Sequence, residues 1–361
     1  MLDDLLPIAA ATDLSVAPEH RRPIAIVGAG AIVDVAHLPA YRRAGLEVRG
    51  IFDVDEGRAR DVAARHGVPT VHASLEELLA SDVDVVDVAV PARAQPAIVR
   101  QALAAGKHLL CQKPFAEDLT TARELVDAAE AANRKLAVNQ QMRFEEGIAA
   151  AIAMAEQGWI GEVTAFAFDV HIVTDFSSWE WLAKLEKLEV WYHSIHYLDS
   201  VRALLGDPVR AYAVGSRTPG QKVAGETRTM TTLSFASGAH AILHVNHENR
   251  TGDPHAEFRI DGSGGSIKGT IGLLYDYPDG RPDTLAVNSA ERTDGWLAYP
   301  VTRRWIPDAF AGPMGSLLRA IATDGEPETS GRDNLGTLAL VEALYRSMGT
   351  GDAVRPEESA R

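Results

Sequence analysis

The segment Val83–Val90 is apolar at every position except Asp84 and Asp87. A strand of that composition is buried on both faces, the situation of a parallel sheet with helices on both sides. Its neighbours extend the pattern. Apolar strands are predicted at Ile24–Val27, Glu47–Phe52, His108–Cys111 and Lys135–Asn139. The helices between them are a first one reaching Ala44, then Glu56–His66, Leu75–Ala80, Gln95–Ala105 and Thr120–Asn133. Strict alternation of this kind folds as an α/β doubly wound parallel sheet of the Rossmann type.

After Phe144 the period changes. A helix at Ile148–Glu156 stops at Gly158, and strands with two-residue alternation follow at Val163–His171, Val209–Val214, Thr229–Phe235, Ala239–Asn246, Ala256–Asp261 and Gly265–Gly269. One amphipathic helix, His193–Leu205, interrupts the series and another, Asn334–Met348, follows it. An open, mainly antiparallel sheet with helices on one face buries both sets of apolar residues. A chain of 361 residues exceeds one ordinary hydrophobic core. The expected division is an unassigned arm over residues 1–22, a Rossmann domain over 23–144, and a substrate-binding and oligomerisation domain over 145–361.

The Gly28-Ala29-Gly30 turn between the first strand and its helix lets backbone amides approach a pyrophosphate at a helix start. Ile32 and Val33 continue the turn, and Val33 departs from the small residue expected for close helix–sheet packing. Asp53 ends the second strand, where a carboxylate accepts from a ribose diol and repels the 2'-phosphate of NADP. NAD is therefore the expected cofactor, with NADP kept open by Arg58 and Arg60.

Thirty-five basic against fifty acidic residues, a net charge of -15, disfavour nucleic acid and anionic lipid as partners. No apolar run approaches a membrane span. One cysteine, Cys111, rules out an intrachain disulfide framework. The acidic Met-Leu-Asp-Asp beginning does not read as a secretory signal, so the cytoplasm is the expected location.

Lys113 follows the His108–Cys111 strand at the carboxyl edge of the parallel sheet, where a lysine can stabilise charge as a hydroxyl becomes a carbonyl. A second cluster runs from Trp191 to Asp199. Tyr192, His196 and Asp199 fall near one face of a helix by their spacings of four and three. Oxidation of an alcohol releases a proton, for which an imidazole is the natural acceptor, and His193 and His196 compete for that role. Trp179, Trp181, Trp191 and Tyr192 could pack on a sugar's apolar faces or fill the core. His171, Asp175, His193, His196 and Asp199 match no compact zinc motif, so no catalytic metal is expected. His240, His244 and His247 read as sheet residues.

Taken in order, these motifs resemble the glucose-fructose oxidoreductase and inositol dehydrogenase family over about residues 22 to 350. The resemblance rests on Gly28-Ala29-Gly30, Asp53, Ala105-Gly106-Lys107-His108 leading into Gln112-Lys113-Pro114, and Gln141-Met142-Arg143-Phe144. It continues through Gly158-Trp159-Ile160-Gly161, His196-x-x-Asp199-x-x-Arg202-x-x-x-Gly206, and the late Asp333 with Glu342-Ala343. It implies NAD(P)-dependent oxidation of a small polyhydroxylated substrate, Lys113 at the reacting oxygen and nicotinamide, and His196 as acid or base. It also implies a Lys113-Pro114 peptide that is often cis in relatives. Pro91, Gln95 and Gln112 are then expected beside the cofactor, and Arg143, His171, Trp191, Tyr192 and His193 beside the substrate. Family members commonly form dimers or tetramers through the open face of the second sheet. Three positions depart from the family: Gln112 stands for glutamate, Gln95 for histidine, and Tyr192 for the aspartate before the catalytic histidine, a role His193 could partly assume. Two other functions stay open. One is transient use of bound NAD for elimination or hydrolysis on a sugar, and the other is a non-catalytic dinucleotide sensor.

Overall fold

The computed structural model describes residues 2–176 and 181–356; Trp179 lies outside them. After a leading helix, α1 (Leu2–Ala11), the chain forms six parallel strands: β1 (Ile24–Val27), β2 (Val48–Phe52), β3 (Thr70–Val71), β4 (Val85–Val88), β5 (His108–Gln112) and β6 (Leu136–Asn139). Their spatial order, 3-2-1-4-5-6, is that of a dinucleotide-binding Rossmann sheet. Strands β1, β4 and β6 are buried at every position, which explains their continuous apolar runs. Helices α2 (Leu38–Arg43), α3 (Glu56–His66), α4 (Leu75–Ala80), α5 (Gln95–Ala104) and α6 (Leu119–Ala131) make the crossovers. Asp55, Ser74 and Asp118 cap α3, α4 and α6 by accepting from backbone amides one turn on.

The second sheet has eight strands among the described residues. They are β7 (Val163–His171), β8 (Arg210–Ser216), β9 (Arg228–Ser234), β10 (His240–Asn246), β11 (His255–Gly262), β12 (Gly265–Thr270), β13 (Thr284–Ser289) and β14 (Leu297–Tyr299), in the order 14-13-12-11-7-10-9-8. Every pairing is antiparallel except β7 with β10. Alternation sorts the sides: Phe166, Phe168 and Val170 of β7 are buried, whereas Asp169 and His171 point to the opposite, partly exposed face. Phe168 stacks on Tyr197 of α8 (Ile195–Leu205), so the buried side is the one that α8 covers. Helix α7 (Glu146–Glu156) packs with α1 and with β12.

The chain divides into two units, and neither is contiguous. One holds Leu14–Phe144 with Trp305–Leu335; the other holds Glu145–Arg304 with the α1 segment and residues 336–356. The expected arm is therefore split at Asp13: α1 joins the mixed-sheet unit, and 14–22 join the Rossmann unit. Helix α9 (Ala311–Thr323), absent from the sequence reading, returns to the Rossmann unit, where Met314, Leu317 and Leu318 share a core with Ile24, Ile26 and Leu110. Helix α10 (Gly331–Thr350) follows. Strands β13 and β14 were likewise not foreseen. No helix among the described residues is long and apolar enough to cross a membrane.

Candidate active site

The glycine turn follows β1 with little freedom. Gly28 has φ +109°, and a Cβ there would lie 2.4 Å from the Ala89 carbonyl oxygen, so only glycine fits. A Cβ on Gly30 would meet nothing within 4 Å, leaving open space above the helix start. Asp53 supports the turn directly: its Oδ2 accepts from the Ala29 amide at 2.7 Å and its Oδ1 from the Asp55 amide at 2.8 Å. Arg58 stands 3.6 Å from the same carboxylate, and Arg60 pairs with Glu56. A tight approach, an open cradle and a carboxylate at its rim fit the pyrophosphate and ribose of a dinucleotide.

Ile32 is half-buried at the start of this helix. Val33, expected at the cofactor, instead belongs to the core and is fully buried. The turn it opens, Val33–His37, is π-helical, a widened geometry that accompanies the larger side chain at the sheet contact.

At the other strand ends, Pro91 begins the short helical turn Ala92–Ala94, and Gln95 is fully buried. The Gln95 amide nitrogen faces three carbonyls, those of Val90 (3.1 Å), Gln112 (2.8 Å) and Pro114 (3.1 Å). Gln95 thus ties the β4 loop to the loop bearing Lys113, and Lys113-Pro114 is cis. Gln112 accepts from the Lys113 amide through Oε1 and donates through Nε2 to His37 Nε2 at 3.2 Å. Asn139 donates to the same ring nitrogen at 3.3 Å, so the imidazole keeps its proton on Nδ1 and gives it to Asp87 at 2.7 Å. Tyr41 donates to the same Asp87 oxygen at 2.7 Å. This buried His37–Asp87–Tyr41 set escaped the sequence reading, although Asp87 inside an apolar strand was a visible sign of it. Lys113 is half-buried, and desolvation lowers its ammonium pKa to about 7. An amine so placed exchanges its proton near neutrality.

Arg143, expected at the substrate, is bound to Asp333 and to the Glu328 carbonyl. It joins two pieces of the family pattern, the short helical turn Gln141–Phe144 and the start of α10.

In the mixed-sheet unit, α8 is preceded by a π-helical turn, Val190–Ser194. That turn breaks the regular spacing assumed between Tyr192 and His196, whereas His196 and Asp199 keep theirs within α8. His196 is 5% exposed. Asp199 accepts from Thr337 at 2.7 Å, and Arg202 donates to Thr337 and to Asp207. Tyr192 is half-buried, edge-on to Trp181 at 5.6 Å between ring centres. Trp191, expected beside the substrate, is 4% exposed, packs with Tyr345 and lies under Lys187.

His193 stacks obliquely on His247, ring centres 4.3 Å apart. Thr174 Oγ1 lies 2.7 Å from His247 Nδ1, and buried Glu189 accepts from Ser194 and Thr229 at 2.6 Å each while standing 3.7 Å from His247 Nε2. His247 was read as a sheet residue and Glu189 was passed over; only the fold brings them to His193. His171 is the opposite case. Expected at the substrate, it sits on the exposed side of β7, away from the face α8 covers. Among the described residues, one group of His and acidic side chains converges closely enough to share an ion, Asp169, His171 and His244, and it excludes the other four once weighed.

Comparisons with known proteins agree with this picture. A family model described as an oxidoreductase family with NAD-binding Rossmann fold matches residues 22–140, and a GFO/IDH/MocA C-terminal domain model matches 148–268. The chain is 32% identical to a D-apiose dehydrogenase of Paraburkholderia graminis over 350 residues, covering 91% of this chain and 88% of the relative. It is 28% identical to D-xylose 1-dehydrogenase (NADP(+)) 2 of Haloferax volcanii, covering 91% and 98%. A solved oxidoreductase from Agrobacterium radiobacter, in complex with NAD+, L-tartaric acid and magnesium, superposes with a TM-score of 0.83 at 28% identity, over 93% of this chain and 98% of that one.

Proposed function

The chain belongs to the GFO/IDH/MocA oxidoreductase family, and on that premise we propose that it is an NAD-dependent dehydrogenase of a sugar, polyol or related hydroxy compound. Relatives named for D-apiose and D-xylose favour a pentose. The observation that carries the reading is the placement of Gly28, Gly30, Asp53 and Lys113 at the carboxyl ends of β1, β2 and β5 of one parallel sheet, the ligand-binding edge of this architecture.

When bound, the nicotinamide supplies a hydride acceptor. Lys113 holds the reacting oxygen and stabilises its negative charge, and His196 takes the hydroxyl proton. His193, backed by His247, orients a neighbouring hydroxyl together with Tyr192, whose phenol cannot replace a carboxylate. The half-buried ring of Tyr192 beside Trp181 offers the flat apolar surface that a sugar face packs against. Asp53 selects NAD by accepting from the ribose diol.

Steady-state kinetics of Lys113→Ala and His196→Ala test the roles: each lowers kcat by about 10²–10³-fold, and near wild-type rates in both contradict the assignment. Asp53→Ala weakens NAD by about tenfold or more and narrows its advantage over NADP, because the hydrogen bonds to the ribose and the charge that repels a 2'-phosphate are lost. Unchanged cofactor preference contradicts that role. Net accumulation of NADH separates dehydrogenation from a reaction in which the hydride returns to product.

A further inference from the structure

The exposed side of the mixed sheet carries a cluster that the proposed chemistry does not use. Register assembles it from three strands. His244 on β10 pairs with Asp169 on β7, and His255 on β11 pairs with His171, two residues further along β7. Cross-strand partners and i, i+2 neighbours of one face lie within reach of long side chains. His171 Nε2 is 2.9 Å from Asp169 Oδ1 and 3.1 Å from His244 Nδ1, and that Nδ1 is 3.2 Å from the same carboxylate oxygen. His255 Nε2 is 3.3 Å from the second oxygen, Asp169 Oδ2, and its Nδ1 faces Glu257 at 3.8 Å.

We propose that Asp169, His171 and His244, with His255 alongside, form a site for one divalent transition-metal ion on this outer face.

The argument is geometric. Donors bound to zinc at roughly 2.0–2.1 Å in a tetrahedron lie about 3.3 Å from one another, and the three donor atoms form a triangle with sides of 2.9, 3.1 and 3.2 Å. An ion about 1 Å above its plane reaches all three at bonding distance. Hydrogen bonds serve the triangle less completely: each ring nitrogen carries at most one proton, so two protons directed at the carboxylate leave the nitrogen–nitrogen edge unbridged. Glu257 stands 3.8 Å behind the other nitrogen of His255. Two or three imidazoles with one carboxylate select zinc, nickel or copper over magnesium or calcium. In the single chain the side chains are a quarter to a half exposed.

The test uses the full-length, tag-free chain stripped with a chelator. Calorimetric titration with Zn2+ should give one ion per chain, and Co2+ should develop the visible bands of a tetrahedral nitrogen–oxygen site. His244→Ala and the isosteric Asp169→Asn, each shown to be folded by circular dichroism, should weaken Zn2+ by at least about tenfold and abolish the Co2+ bands. Absence of stoichiometric binding by the wild type overturns the proposal. So does equal affinity in both variants, including the case in which binding is lost only in His196→Ala. Absent binding, or equal affinity in both variants, leaves the dehydrogenase reading untouched, since no proposed catalytic residue is a ligand; loss only in His196→Ala would instead put the ion at the proposed catalytic histidine.

Discussion

Lys113, the proposed oxygen-binding amine, sits where burial strains stability. The unfolded chain holds this amine protonated to about pH 10, whereas desolvation in the folded state brings its pKa to about 7. Folding therefore releases a proton between those values, and the contribution of this site to stability rises with pH across that window. Lys113→Met removes the cost of a desolvated ammonium. It should stabilise the protein by about 1–3 kcal/mol below pH 7, with the gain shrinking toward pH 10 as the wild-type amine is neutral in the folded state. Thermal unfolding of both proteins at pH 6 and pH 9 checks this, and a pH-independent difference contradicts it. The kcat/KM profile of the wild type should show a transition near pH 7 that the variant lacks. Lys113 was legible from its place after β5. Its surroundings were not: no local pattern shows that the Gln95 amide faces three loop carbonyls. The face His171 occupies was not legible, since alternation tells that two residues share a face but not which face the helices cover.

Single elements divide into those whose local pattern agrees with their packing and those decided by distant contacts. Strands β1 and β7 and helices α3 and α4 have the bounds expected from the sequence, because apolar period and capping residues coincide there. Helix α9 was missed because Gly312, Pro313 and Gly315 argue against a helix locally. The structure shows why one is tolerated: a Cβ at Gly312 would lie 2.2 Å from the Phe144 ring. Gly312→Ala therefore trades better helix propensity for a clash and should destabilise by about 1–3 kcal/mol, read as a lower midpoint in urea. A neutral or stabilising effect would mean that Phe144 moves aside freely. The π turns before α2 and α8 were also invisible, since an inserted backbone hydrogen-bond shift leaves no mark in hydrophobic period. They explain why Val33 turned inward and why Tyr192 lost its regular spacing to His196.

At the scale of the whole molecule, the two fold types could be read from the switch of period at Phe144, while the return of 305–335 to the Rossmann unit could not, because nothing in that stretch names its partner sheet. The mixed sheet leaves Val214, Met230 and Ile242 about half exposed on adjacent strands β8, β9 and β10. An apolar band of this kind favours association with a second copy. Light scattering should return a dimer or tetramer, shifted toward monomer by Ile242→Lys; a wild-type monomer contradicts this. Hydride transfer leaves an isotopic trace in the cofactor. Pentoses deuterated at the carbinol carbon, incubated with the protein and NAD, should yield reduced nicotinamide carrying one deuterium by mass spectrometry. Reduced cofactor without the label, or cofactor binding with no reduction by any sugar or polyol supplied, would contradict the account.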